Sequence, residues 1–165
     1  MDNLVAVSDY DKVKQFTEQS TGAKSPTTPQ PMNKKEMTFI IEMVVSELIE
    51  LAQTRCDSSA DACKLVQKCM DNMAQKDISK QPIIDDKYDL INEQADAAVD
   101  IWYYLLNAYS KKGINISKHF DIVHNANMDK RDLKTGKFII RESDGKVLKR
   151  EGWKPPQTKQ LYMKM

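Results

Sequence analysis

EMVVSELIELAQ, residues 42–53, sets its charged side chains among apolar ones at helical spacing. Wound at about 3.6 residues per turn, Ile40, Met43, Val44 and Leu51 share one stripe, and Glu47 falls inside it rather than on the opposite polar face. A carboxylate in that position is expected to be buried, and buried carboxylates are rare unless they are paired or ligate a metal. Glu50 follows one turn later. The helix that carries them is predicted over 34–54, because Asn33 with Glu36 three residues on forms a capping-box start.

A second acidic helix answers the first. In NEQADAAVDIWYY, residues 92–104, Glu93, Asp96 and Asp100 are spaced i, i+3, i+7, which places them within about 60° of one another on a helix surface. Asp89 lies on the same line, and Tyr103 and Asn107 continue it. Between Asp89 and Ser110 the chain has no Lys or Arg. Like charges at helical neighbours repel, so a cation is expected against the row. A row of acids can also be a solvated face, and Glu47 tips the reading towards a divalent-metal site built from both segments.

The other segments read as helices or breaks. Ser8 caps a helix to about Ser20 with Val13 and Phe16 facing inward, and GAKSPTTPQP, residues 22–31, interrupts with three prolines. Over 60–75, Ala62, Leu65, Val66, Cys69, Met70 and Met73 recur at amphipathic spacing, and Cys69 reads as helix core. DISKQPIIDDK, residues 77–87, reads as a loop. A central helix is predicted over 87–111, ending at Gly113, and a last one from Ser117, as its start, to about Lys130. Then KFII, an SDG turn and KVLK predict a short β-hairpin, followed by the irregular GWKPP tail. The expectation is an all-α bundle in one domain over 1–165: an N-terminal helix and connector (1–33), a helical catalytic bundle (34–131), and a basic hairpin and tail (132–165).

Charge is divided unevenly. Residues 1–129 carry 14 Lys+Arg against 20 Asp+Glu, and residues 130–165 carry 11 against 4. An acidic body with a basic tail suits a ligand made of a cation plus phosphates, and it equally suits a tail that folds back on the body. Cys56, Cys63 and Cys69 are odd in number and lack zinc-type spacing, so free thiols in a reducing compartment are expected. No apolar run of membrane-spanning length and no signal-peptide pattern occurs, which points to the cytoplasm. The tail has only Phe138 and Trp153 among its charges, too little aromatic interleaving to suggest nucleic-acid binding.

Glu47-x-x-Glu50 and Glu93-x-x-Asp96 resemble the paired EExxE and ExxD signature of the MazG-like, all-α nucleoside triphosphate pyrophosphohydrolases. VHNANMDK (123–130), GKFIIRESDGKVLK and GWKPP resemble, more specifically, the phosphoribosyl-ATP-pyrophosphohydrolase-like branch. The resemblance spans roughly residues 36–156 and implies hydrolysis of a nucleoside triphosphate to the monophosphate and pyrophosphate, with Mg²⁺, or Mn²⁺ in its place. It implies Glu47, Glu50, Glu93 and Asp96 as metal ligands with Asp100 as a further one, Glu47 and Glu50 being catalytic. Asn125, Asn127 and Lys130 match the nucleotide-contacting run, while Lys137, Arg141, Lys146 and Lys149 are phosphate-contact candidates and Tyr103 a substrate contact. Homodimers or homotetramers are implied as well.

Two departures stand out. Ser46 occupies the place of the signature's first glutamate, and the segment 55–88 is expanded. Two other readings stay open: true phosphoribosyl-ATP hydrolysis in histidine biosynthesis, and a non-catalytic helical interaction module.

Overall fold

Local capping sets where each helix begins. The structure, a computed structural model, describes residues 7–74, 84–143 and 145–163. Helix α1 spans Asp9–Thr21; Ser8 Oγ accepts the Asp11 N–H at 3.2 Å, and Gly22, at φ 71°, turns the chain out of the helix in the left-handed region that glycine adopts without strain. Helix α2, Lys34–Gln53, starts with the expected capping box: Asn33 Oδ1 accepts from Lys35 and Glu36, and Glu36 Oε2 accepts the Asn33 N–H at 2.8 Å. Helix α3 spans Ser59–Ala74, with Ser58 Oγ accepting the Asp61 N–H. Helix α4, Lys87–Ser110, opens with Asp86 Oδ1 accepting from Tyr88 and Asp89 and closes at Gly113, φ 68°.

Helix α5 spans Ser117–Met128. It starts at Ser117, as predicted, and Asn115 Oδ1 accepts the Ser117 N–H at 3.1 Å. Asn115, two residues upstream, reaches the free amide that Ser117, already inside the first turn, cannot. A 3₁₀ turn, Thr158–Leu161, ends the described chain.

The predicted β-hairpin does not form. Among the described residues there is a single antiparallel bridge, Ile140 with Val147, supported by Leu148 N–H to Ile139 O at 2.8 Å and Arg141 N–H to Lys146 O at 2.9 Å. Two short segments without a third strand to bury a face do not sustain a ladder. Asp144 of the SDG turn lies outside the described residues, as does most of the predicted loop 77–87.

The chain divides into two compact units, Thr28–Val99 and Met1–Thr27 with Asp100–Met165. In Thr28–Val99, α2 packs on α3 around Ala62, which is fully buried. Between the two helices runs an apolar groove of about 590 Å³ lined by Leu48, Leu51, Leu65, Cys69, Met70 and Met73 among others, so Cys69 faces an open groove and not a closed core. The connector is held by Gln94 of α4, whose amide accepts the Met32 N–H at 2.7 Å and donates to the Met32 carbonyl at 3.0 Å.

In the other unit α1 packs on α5, and the 3₁₀ turn touches α5. Phe16 meets Phe138 edge-on with ring centroids 5.1 Å apart, and Lys12 Nζ bonds Asp121 at 2.6 Å across the α1–α5 contact, which raises the lysine's pKa. Tyr162 and His119 join through Oη and Nε2 at 2.6 Å, docking the tail. Among the described residues no helix is long and apolar enough to cross a membrane.

Candidate active site

Helix α2 presents Glu47 and Glu50, and α4 presents Glu93, Asp96 and Asp100; all five are exposed. Glu47 therefore departs from its expected burial. The stripe it belongs to is uncovered in the single chain, since Ile40, Met43 and Leu51 around it are exposed as well. α2 packs only on α3, and α4 packs against no other element among those described. Burial of a helix face depends on what is laid against it, which periodicity does not supply.

The five acids share a second property. Among the described residues none of them has a hydrogen bond or an ion pair, whereas Asp9, Glu18, Asp61, Asp121 and Asp129 are each taken by a lysine or arginine. Ser46, in the place of the missing glutamate, donates its hydroxyl to Met43 O at 2.8 Å and so is spent on its own helix. In donor chemistry the set fits a hard cation such as Mg²⁺: hard oxygens, unclaimed by any basic side chain. In geometry the single chain does not assemble it, because among the described residues no three His, Cys, Asp or Glu side chains come together closely enough to hold a metal.

The substrate candidates divide into two groups. Asn127 stands in the wall of a cavity of about 150 Å³ between α1 and α5, with Val13, Phe16, Phe120, Val123 and His124. Its amide and that of Asn125 make no side-chain hydrogen bond among the described residues. His124 stacks on Phe120, rings nearly parallel. Tyr103 lines a different cavity, of about 470 Å³, with Leu106, Asn107 and the α4–α5 turn.

At the end of α5 the basic residues gather. Lys130 lies 5.6 Å and Lys149 4.8 Å from the centroid of the Trp153 ring. Partial burial, and then the neighbouring Lys149 and Lys146 charges, hold the Lys130 ammonium below the usual lysine range. Trp153 Nε1–H donates to Ala126 O at 2.7 Å. Arg150 ties the same segment down, its Nε to Asp129 O at 2.8 Å and its Nη2 to the Asp129 carboxylate. The structure thus joins Lys130, Lys146 and Lys149; Arg141 adjoins them, its N–H donating to Lys146 O at 2.9 Å, Lys137 accepts the Asp132 N–H through its carbonyl at 2.8 Å, both side chains are exposed, and Tyr103 lines the cavity at the α4–α5 turn.

Two contributors were not legible beforehand. Gln94 sits between Glu93 and Asp96 and pins the connector there, and nothing in the sequence pairs it with Met32. Trp153, one of two aromatics among the tail's charges, anchors the tail through its bond to Ala126 and has two lysines over its ring.

The phosphoribosyl-ATP pyrophosphohydrolase family model matches residues 13–127. No curated protein matches the chain significantly. The crystal structure of a "putative NTP pyrophosphohydrolase" from Exiguobacterium sp. 255-15 is similar to it with a TM-score of 0.79 and 24% identity, covering 96% of this chain and 98% of that one. At that identity the likeness establishes the all-α fold. The family match takes in α2 and α4 with their acids and α5 to Asn127, and by it the chain belongs to the phosphoribosyl-ATP pyrophosphohydrolase family, enzymes of the pyrophosphohydrolase class.

Proposed function

We propose that this chain is a Mg²⁺-dependent nucleoside triphosphate pyrophosphohydrolase that clears NTPs or dNTPs from the nucleotide pool. The observation that carries the reading is that Glu47, Glu50, Glu93, Asp96 and Asp100, on α2 and α4, are unpaired among the described residues, while Lys130, Lys146 and Lys149 gather at the end of α5. Acids without counter-charges await a cation, and clustered lysines await an anion; a magnesium–triphosphate complex supplies both.

In this reading water adds across a phosphoanhydride, one P–O bond forms and one breaks, and the monophosphate and pyrophosphate leave. Mg²⁺, or Mn²⁺ in its place, would neutralise charge on the phosphate oxygens and make a bound water more acidic. Glu47, Glu50, Glu93, Asp96 and Asp100 are the residues to hold it. Glu47 takes the proton from the attacking water. Lys130, Lys146 and Lys149, with Lys137 and Arg141, bind phosphate oxygens, while Asn125, Asn127 and Tyr103 contact base or sugar.

A second copy of the chain belongs to this reading, as a dimer or a tetramer. Phe39, Ile41, Leu48 and Leu51 on α2, Leu65, Met70 and Met73 on α3, and Val99, Ile101 and Trp102 on α4 are exposed. Fully burying side chains of this kind contributes about 1.5–3 kcal/mol each. A covering copy would bring the α2 and α4 acids out of bulk water, where their hold on a cation strengthens.

The family match favours a second substrate, phosphoribosyl-ATP, cleaved by the same chemistry in histidine biosynthesis. The name of the Exiguobacterium protein favours a nucleoside triphosphate. Pyrophosphate release from dUTP, dCTP, oxidised purine triphosphates and phosphoribosyl-ATP, with Mg²⁺ and with EDTA, separates the two. Release from a triphosphate that stops with EDTA is the expected result; release from phosphoribosyl-ATP alone selects the second reading, and release from none leaves a non-catalytic helical module.

A further inference from the structure

We propose that Trp153 is a positioning residue, whose indole gathers Lys130 and Lys149 into a preformed seat for a polyphosphate chain. The inference deepens the proposed function and rests on it only for what carries the polyphosphate.

Two ammonium groups on long flexible stems separate in water unless something holds them together. Here both lie within 6 Å of one ring centroid, at 5.6 and 4.8 Å, close enough for each to be drawn to the indole π-system. Neither has a carboxylate partner among the described residues. The nearby acid, Asp129, is occupied by Arg150 through both of its oxygens. Lys146 is near enough to add its field at Lys130.

The ring is fixed independently of the lysines. Its Nε1–H bonds the Ala126 carbonyl at 2.7 Å, one turn of chain before Lys130, and the Trp153 N–H returns to Arg150 O at 3.2 Å. Trp153 and Lys130 are both half-buried. The seat is therefore built before any ligand arrives, with like charges already brought together and one already partly dehydrated. Its depressed pKa is the cost of that arrangement, and an anion relieves it. A phosphate chain suits the seat because its charge is spread along several oxygens, while lysines offer separate point charges and not a fork for one carboxylate.

A purely structural Trp153 would stabilise the tail and leave anion affinity alone, so the test measures both. In a Trp102→Phe background Trp153 is the single indole, and inorganic tripolyphosphate is titrated in EDTA while its fluorescence and the heat of binding are followed. Saturable binding is expected, weakened about tenfold by Trp153→Leu and by less in Trp153→Phe, which retains an aromatic ring and loses the Nε1–H that helps to fix it. With nucleotide, Trp153→Leu should raise KM by a similar factor and leave kcat within about twofold. Folded Trp153→Leu protein with unchanged affinity for tripolyphosphate overturns the proposal. If Trp153→Leu fails to fold, Lys149→Gln and Trp153→Phe carry the test, and unchanged binding in Lys149→Gln overturns it equally. Tripolyphosphate binding without hydrolysis of any nucleotide leaves the seat standing and removes the proposed activity; hydrolysis with a KM indifferent to Trp153→Leu does the reverse.

Discussion

Asp96→Asn should make the metal-free protein more stable while abolishing its stabilisation by magnesium. Asp96 lies on α4 with Glu93 three residues before it and Asp100 four residues after, all exposed and none paired among the described residues. Each like-charge neighbour at these spacings costs a helix about 0.2–0.5 kcal/mol, so relieving two of them stabilises by about 0.4–1 kcal/mol at low salt. For a chain of this size that is a rise in Tm of about 1–4 °C, shrinking as salt screens the row. Magnesium at a hundred times its Kd would stabilise the native protein by about 2.7 kcal/mol through mass action. The variant should lose most of that. Thermal unfolding followed by circular dichroism, in EDTA and in saturating Mg²⁺, reads both signs in one experiment. Destabilisation in EDTA, or an equal magnesium shift in both proteins, refutes the reasoning: the row would then be an ordinary solvated face.

Other expectations are as direct. Glu47→Gln should remove turnover with little change in helicity or Tm, because among the described residues the exposed Glu47 carboxylate has no hydrogen bond or ion pair to lose; unchanged turnover excludes it as the base. Gln94→Ala removes two hydrogen bonds to Met32, and at about 0.5–1.5 kcal/mol each it should lower stability by about 1–3 kcal/mol in urea unfolding. The lowered pKa of Lys130 sets a sign for pH: the ammonium is present below its folded pKa, so nucleotide KM should hold steady there and climb as pH rises through that value, earlier than an ordinary lysine would allow. The same shift makes Lys130 a cost to folding at neutral pH that is relieved on going alkaline, so Lys130→Met should stabilise the protein while weakening nucleotide binding. Leu51→Asp, in the α2–α3 groove, should shift sedimentation towards monomer and reduce magnesium-dependent activity together; a monomeric variant with full activity removes the second copy from the site.

The helices were legible because their ends are decided locally. Ser8, Asn33 with Glu36, and Gly113 each act on backbone groups within a few residues, and each does in the structure what its type and position predict. The ordered acids of α2 and α4 were legible for a related reason, since helical spacing follows from sequence alone and the family match runs through both. The hairpin was misjudged because pairing is not a local property: two short segments had no third strand to lean on.

By itself, then, the sequence determined which segments are helical, that acids line up on two of them, and the family the chain belongs to. Only the tertiary structure decided that Glu47 stands exposed, that Gln94 clasps Met32, and that Trp153 draws Lys130 towards Lys149 across some twenty residues of chain. The reason is physical: a helix and its caps are made by contacts within a turn, whereas burial and charge clustering depend on which surface is laid against which, and no period in the sequence carries that information.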